Sequence, residues 1–231
     1  TRMARLFPRA LPESVRRDAK RSAEVKFFDA AARLLGDDWT ILYSVAWLQR
    51  TPGNLSPDGE VDFIALHPDL GAIHLEVKGG RIVFDAARSS LFSIDRHDRE
   101  HAIYPLDQLR KSIYALLPKL RSLPGFRHKA IQLARAVVFP DDVVGRNHVL
   151  PPDCPRHIVI DREDMGRLPK SLRRAVDFPP DKQVATELAQ VMERYLGATT
   201  ELRNPLRHEI SDAEGEILRL TAEQFRILDV L

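Results

Sequence analysis

The stretch from Gly59 to Gly80 constrains the fold of this chain more than any other. Val61–Leu66 is a short apolar run with one carboxylate, that of Asp62, near its start. His67–Gly71 then supplies Pro, Asp and Gly, which are typical of turns. Ala72–Lys78 follows as a second apolar run and ends at a pair of glycines. The pattern predicts a β-hairpin whose loop is longer than the tightest type.

Three charged residues fall at one end of this hairpin. Because side chains alternate along a strand, Glu76 and Lys78 point to the same side, and Asp62 can lie across from them. Two carboxylates on a rigid sheet offer the hard oxygen ligands that suit Mg²⁺. A nearby ammonium could orient an attacking water or steady the charge on a phosphate. The alternative is an ordinary edge hairpin with Glu76 and Lys78 as a weak surface pair.

The composition is that of a soluble globular protein with one substantial core, since 44% of the 231 residues are hydrophobic and 29% are charged. A net charge of +2 means that nucleic-acid binding must come from local basic patches. The single cysteine, Cys154, excludes an intrachain disulfide framework and a multi-cysteine zinc site. No run suits a membrane span and no signal core follows the first residues, so we expect a cytoplasmic protein.

Two features precede the hairpin. Residues 1–21 form a basic segment that is either a solvated arm or a phosphate-binding segment. Residues 22–35 have a helical period, with Ser22 as the expected N-cap. Glu24 leans toward the apolar face of this helix, so its carboxylate needs a partner, a metal ion or water. Alternatively, Glu24 only complements the helix dipole in the first turn.

The later segments complete an α/β pattern. Leu106–Leu120 predicts a second amphipathic helix, with Gln108, Lys111 and Ser112 on or beside its polar flank. Solvent exposure is the simplest reading of Gln108 and Lys111. The other predicted elements are strands at Trp39–Gln49, Arg81–Phe84, Ser90–Ile94, Ala134–Phe139 and His157–Ile160, and helices at Pro169–Val176 and Asp181–Leu196.

The chain lacks the sequence motifs of several enzyme classes. There is no P-loop, no G-x-G-x-x-G, no H-E-x-x-H and no G-x-S-x-G segment. His74-Leu75-Glu76 has the H-x-E form of the zinc deaminases, but their P-C-x-x-C partner is missing. The residues that remain, Asp62, Glu76 and Lys78, suit metal-dependent phosphodiester chemistry, and this is the hypothesis that we keep.

Four short segments carry a resemblance to a known family. Gly59–Phe63 (GEVDF) followed by Ile73–Gly80 (IHLEVKGG) resembles the nuclease-related domain, NERD, of the PD-(D/E)xK nuclease superfamily. Tyr104–Gln108 (YPLDQ) resembles the family's entry into its next helix, and Ala136–Pro140 (AVVFP) resembles its later core strand. The resemblance runs from about residue 19 to about residue 174.

The resemblance implies a restriction-endonuclease-like α/β fold, a central mixed β-sheet flanked by α-helices. It also implies Mg²⁺- or Mn²⁺-dependent hydrolysis of phosphodiester bonds in DNA. Asp62 and Glu76 would bind the metal, with the backbone carbonyl of Val77 as a further ligand. Lys78 would position the attacking water or help to deprotonate it. One departure from the family pattern is Val61, which stands where proline often precedes the aspartate.

The same resemblance implies roles for two further residues. Glu24 would bind a second metal ion or a water on the metal, and Gln108 would hold water or phosphate. The competing hypothesis is a catalytically silent nuclease fold that binds DNA or docks a protein partner.

The end of the chain carries a second resemblance. Leu220–Gln224 (LTAEQ) is similar to the glutamine motif that opens superfamily 1 DNA helicases. The two resemblances predict a nuclease domain at 22–196 after the basic arm, then a linker at 197–219 and the truncated start of a helicase domain at 220–231. The expected partners are therefore DNA and a helicase domain in the same full-length chain.

Overall fold

The computed structural model describes residues 2–51, 54–145, 148–178 and 180–197. The predicted nuclease segment falls almost wholly within these ranges. The predicted linker from residue 198 onward and the predicted helicase start at 220–231 lie outside them. Within the described residues, no helix combines the length and the apolar character that crossing a bilayer requires.

A mixed sheet of six strands forms the centre of the molecule, in the order β1-β2-β3-β4-β8-β9. The β2–β3 and β3–β4 pairs are antiparallel, whereas β1–β2, β4–β8 and β8–β9 are parallel. This confirms the predicted fold class, a mixed α/β protein with helices on the sheet. The six strands are Arg5–Phe7 (β1), Thr40–Thr51 (β2), Asn54–His67 (β3), Gly71–Val77 (β4), Leu133–Phe139 (β8) and Val159–Asp161 (β9).

Helices cover both faces of this sheet. On one face, Phe27, Phe28 and Ala31 of α2 pack with Phe63 and Leu75 of the central hairpin. On the other face, leucines of α3 and α6 pack on the opposite side of the same strands. The apolar residues of β3 and β4 alternate between the two faces, so both sides of the hairpin are buried. Among the described residues, the α-helices are Glu13–Arg17 (α1), Ser22–Leu34 (α2), Pro105–Ser122 (α3), Arg162–Met165 (α4), Leu168–Arg174 (α5) and Lys182–Met192 (α6).

The predicted hairpin is confirmed. Strands β3 and β4 pair from Phe63↔Leu75 to His67↔Gly71, and Pro68–Leu70 forms the loop between them. Gly71 has φ +74°, a left-handed conformation that favours glycine at the end of a tight turn. Strand β3 begins at Asn54, ahead of the apolar run Val61–Leu66 from which the first strand of the hairpin was predicted.

A separate antiparallel sheet follows the hairpin directly. Its strands are β5 (Arg81–Asp85), β6 (Ser90–Ile94) and β7 (Glu100–Ile103). Gly80 joins the two sheets with φ +84°, and a Cβ at this position would lie 2.6 Å from the carbonyl oxygen of Ile94. Only glycine therefore fits this junction.

The reading of residues 1–21 as a solvated arm is wrong for much of that segment. Arg5–Phe7 joins the edge of the sheet as β1, parallel to β2. Leu11 and Val15 are buried in the main core. An apolar residue every few positions among the arginines is enough to anchor a short strand and one helical turn, although the basic composition suggested exposure.

Two smaller expectations were also wrong. Ser22 is the first residue of α2 rather than its N-cap, because Ala19–Arg21 continues into α2 as a turn of 3-10 helix. Ser112 is fully buried rather than on a polar flank, and its hydroxyl lies 2.9 Å from Nδ1 of His74 on β4. A buried histidine offers this hydroxyl the partner that it needs away from water.

Candidate functional site

The central hairpin opens at the end where its charged residues lie. The ladder between β3 and β4 stops at Phe63↔Leu75, one step before Asp62 and Glu76 would face each other. Beyond that step, the backbone N–H of Val77 donates to a side chain of β3 and not to its main chain. The acceptor is Oδ2 of Asp62, at 2.8 Å. Asp62 is thus held at the point where the two strands separate.

Glu76 and Lys78 form a close pair at the same end of β4. The Nζ of Lys78 donates to Oε1 of Glu76 over 2.6 Å. Glu76 is only 3% exposed, so the alternative of a weak surface pair is wrong. The backbone N–H of Lys78 donates to the carbonyl of Val138, which keeps the chain on the neighbouring strand β8 as far as the lysine.

Glu24, in the first turn of α2, is held by two neighbouring side chains. Its Oε2 accepts a hydrogen bond of 2.7 Å from the hydroxyl of Tyr43 and lies 3.3 Å from the guanidinium of Arg21. Arg21 also donates to the Tyr43 hydroxyl over 2.8 Å. These contacts fix the carboxylate in one orientation, which a role in complementing the helix dipole alone does not require. Burial and the neighbouring Glu24 raise the pKa of Tyr43, so the phenol stays protonated.

The electrostatics of Asp62 link these elements. Burial raises the pKa of Asp62 well above its usual range, and the charges of Glu76 and Glu24 raise it further. Lys78 and the N–H of Val77 act in the opposite direction but do not cancel the effect. Carboxylates from α2, β3 and β4 therefore lie within electrostatic reach of one another. We call Glu24, Asp62 and Glu76 the acidic cluster.

The remaining predicted residue lies apart from these contacts. Gln108 is exposed in the first turn of α3, where its backbone N–H donates to the carbonyl of Tyr104. Among the described residues, no hydrogen bond joins the Gln108 side chain to the acidic cluster. The structure thus places Glu24, Asp62, Glu76 and Lys78 within electrostatic reach of one another and leaves Gln108 at the surface.

The sequence reasoning missed an aspartate that ties the site together. Asp141 follows β8, and its Oδ2 accepts a hydrogen bond of 2.9 Å from the N–H of Gly80. Its Oδ1 forms an ion pair with Lys26 of α2. A Cβ on Gly79 would lie 3.0 Å from the Cβ of Ala23 and 3.1 Å from Oδ2 of Asp141. The turn after Lys78 is therefore packed between α2 and the end of β8. We call Lys26, Asp141 and the two glycines the clamp.

A signal for the clamp existed in the sequence. β4 and β8 are parallel neighbours, so the residues that follow each strand meet at the same edge of the sheet. Asp141 and Asp142 follow the predicted strand Ala134–Phe139 after one proline, and Asp142 accepts a hydrogen bond of 2.7 Å from the N–H of Ile82. Tyr43 was not predictable in this way, because its contact with Glu24 depends on how α2 lies on the sheet.

Comparison with protein families decides the assignment. The model of the nuclease-related domain, NERD, matches residues 19–140, which is more than half of the chain. The chain belongs to the NERD family. No curated protein and no solved structure matches it. The NERD match spans the whole acidic cluster, Lys78 and Gln108, and it ends one residue before Asp141.

The donor set of the NERD site suits a hard divalent cation, since all of its charged oxygens come from carboxylates. Within the described residues, no three His, Cys, Asp or Glu side chains are arranged so that they could hold a metal ion. Mg²⁺ commonly takes only one or two protein carboxylates and keeps several waters, so Asp62 and Glu76 are sufficient in number. Burial raises the pKa of Asp62 most, and the negative charges of Glu76 and Glu24, which a cation would offset, raise it further.

Proposed function

We propose that this NERD domain is a metal-dependent nuclease that hydrolyses phosphodiester bonds in DNA, as members of the PD-(D/E)xK superfamily do. The observation that carries the proposal is the placement of Asp62 and Glu76 at the same end of the central hairpin, where Oδ2 of Asp62 accepts a hydrogen bond from the N–H of Val77 and Nζ of Lys78 donates to Glu76. Burial, and after it the charges of Glu76 and Glu24, raises the pKa of Asp62 at this place. Such crowding of carboxylates costs stability, and functional sites are where proteins retain it.

The proposal gives each residue a task. Asp62 and Glu76, with the backbone carbonyl of Val77, would hold Mg²⁺ or Mn²⁺. When bound, the cation would lower the pKa of a water and offset charge that develops on the phosphate. Lys78 would orient the attacking water through its Nζ, which its hydrogen bond to Glu76 keeps in place. Glu24, fixed by Tyr43 and Arg21, would orient further water at the acidic cluster, and Gln108 would contact water or phosphate from the surface of α3.

The proposal also covers the setting of the nuclease. The LTAEQ motif at Leu220–Gln224 supports a helicase domain in the same full-length chain, which would deliver DNA to the acidic cluster. The single cysteine, Cys154, supports a reducing compartment, the cytoplasm.

Cleavage of supercoiled plasmid tests the proposal. We expect nicking with Mg²⁺ or Mn²⁺ and none with EDTA. Lys78→Ala should lower the rate by about 10²-fold or more, because the water loses its positioning group, while DNA is still shifted in a gel. Lys170→Ala, an exposed lysine on α5, is the matched control and should cleave normally.

Two outcomes would count against the proposal. Wild-type cleavage by Lys78→Ala would remove Lys78 from the mechanism. A gel shift without cleavage on plasmid and on single-stranded DNA, unaffected by EDTA, would favour the silent DNA-binding or docking module instead. The single-stranded substrate is included because a helicase would supply that form.

A further inference from the structure

A second concave site lies at the far end of the sheet from the acidic cluster. It is a cavity of about 430 Å³ between α3, the start of β8 and the segment that follows α5. Its floor reaches Leu133, five residues before Val138, which pairs with Val77 at the catalytic end. At about 3.3 Å per residue, the two sites are roughly 17 Å apart along the strand. The volume is within the range of small-molecule sites.

The charges that line this cavity are mainly positive. Arg135 of β8 is half-buried, and no carboxylate of the described residues pairs with it. Arg110 of α3 lies on the same rim and carries an ion pair with Asp107. The one carboxylate among the described lining residues, Asp177, contacts the ring of His157. A half-buried guanidinium without an anionic partner is costly, so the cavity favours an anion.

Two large aromatic side chains that line the same cavity are exposed to solvent. Tyr114 of α3 is 69% exposed, and Phe178, after α5, is 73% exposed. The apolar side chains of Leu70 and Leu133 line the same cavity. Exposed rings beside an apolar hollow are typical of ligand sites, and aromatic side chains next to arginines suit nucleobases with their phosphates.

We propose that this cavity binds a nucleotide, with its base against Tyr114 and Phe178 and its phosphate at Arg135 and Arg110. The nucleotide is either a free mononucleotide or part of a single strand, since both present the same base and phosphate. This site goes beyond the proposed nuclease function and does not depend on it, because none of its residues belongs to the acidic cluster or the clamp.

Calorimetric titration in EDTA tests the proposal, since cleavage is then excluded. The probes are deoxyadenosine monophosphate, inorganic phosphate and a 5′-phosphorylated oligodeoxyadenylate. We expect the mononucleotide to bind more tightly than phosphate. Phe178→Ala and Arg135→Gln should each weaken its binding by about tenfold or more. Tyr195→Ala and Arg121→Gln, which alter exposed residues outside the cavity, are the matched controls and should bind like the wild type.

The outcomes separate the alternatives. Oligonucleotide binding at least tenfold tighter than mononucleotide binding identifies a strand as the ligand, and equal or weaker binding identifies the free nucleotide. The proposal is overturned if neither probe binds at millimolar concentration, or if phosphate binds as tightly as the mononucleotide. Loss of binding in Lys78→Ala but not in Phe178→Ala would also overturn it, because the ligand would then occupy the catalytic end. Should Arg135→Gln fail to fold, Phe178→Ala and Tyr114→Ala decide alone, since both rings are exposed.

Discussion

Asp62 occupies an electrostatically unfavourable position at the end of the central hairpin. Its carboxylate lies in a desolvated environment beside Glu76 and within reach of Glu24, and only Lys78 and one backbone N–H stabilise its charge. The folded protein therefore holds a proton on Asp62 more tightly than the unfolded chain does. This has a direct consequence for stability.

The free energy of unfolding of the metal-free protein should fall as the pH rises from about 4 through the raised pKa of Asp62. Over this window the folded state binds more protons than the unfolded state, so raising the pH favours unfolding. Asp62→Asn removes the charge but keeps an acceptor for the N–H of Val77. We expect this variant to lose part of the pH dependence and to melt higher than the wild type at pH 8.

Thermal melts in EDTA between pH 4 and pH 9 provide the measurement. Asp69→Asn, in the exposed turn between β3 and β4, is the control for the loss of one acidic side chain. If Asp62→Asn instead melts lower than the wild type at pH 8 and keeps the full pH dependence, Asp62 is not the strained carboxylate of the site.

At the scale of elements, the clamp joins the helix of Glu24 to the strand of Lys78. Asp141 contacts Lys26 on α2 and Gly80 beyond β4, so one carboxylate joins the two elements that carry Glu24 and Lys78 in the proposed mechanism. The close packing of Gly79 against Ala23 acts in the same place.

Asp141→Ala should therefore reduce cleavage and lower stability together. The N–H of Gly80 loses its acceptor and Lys26 loses its counter-ion, which costs about 1–3 kcal/mol. Asp141→Asn keeps an oxygen for Gly80 and should recover most of the stability. Plasmid cleavage rates and melting temperatures are the measurements, with Asp37→Ala in an exposed turn as the matched control. Full activity in Asp141→Ala would show that the clamp does not position the proposed catalytic residues.

The central hairpin was predictable from the sequence because its signals are local. Alternation placed Glu76 and Lys78 on one side, and the turn residues between the two apolar runs set Asp62 opposite Glu76. Helical periodicity likewise indicated the buried face of α2. The donor types at the site follow from these local patterns, whereas the distances among the carboxylates do not.

Contacts that depend on how a helix or the first segment docks on the sheet were not predictable. Ser112 has the spacing of a helix flank, but it packs under His74, whose pKa burial lowers to about 3 so that the ring stays neutral. β1 looked like a solvated arm because charge dominates its composition, while its pairing with β2 depends on an open sheet edge. The bracing of Glu24 by Tyr43 depends on how α2 docks on the sheet.

At the scale of the whole molecule, the sheet separates two sites. The acidic cluster lies where β4 ends, and the proposed nucleotide cavity lies where β8 begins. The N-terminal segment completes this architecture by adding β1 to one edge and by placing Leu11 and Val15 in the core.

Leu11→Ala tests whether the first residues belong to the fold. Leu11 is 4% exposed, so truncation should cost about 2–5 kcal/mol. For a domain of this size the melting temperature should fall by roughly 5–15 °C. Met3→Ala is the control, since Met3 is 61% exposed and should change the melting temperature little. Equal melting temperatures for both variants would mean that the segment is a solvated arm after all.

The central claim is that Asp62 and Glu76 hold a divalent cation beside Lys78. A crystal of the protein soaked in Mn²⁺ and measured for anomalous scattering tests it most directly. The account predicts one strong peak about 2.0–2.4 Å from carboxylate oxygens of both residues, absent in a crystal of Asp62→Asn grown the same way. A peak elsewhere with none between Asp62 and Glu76, in crystals of protein that cleaves DNA in Mn²⁺, would contradict it.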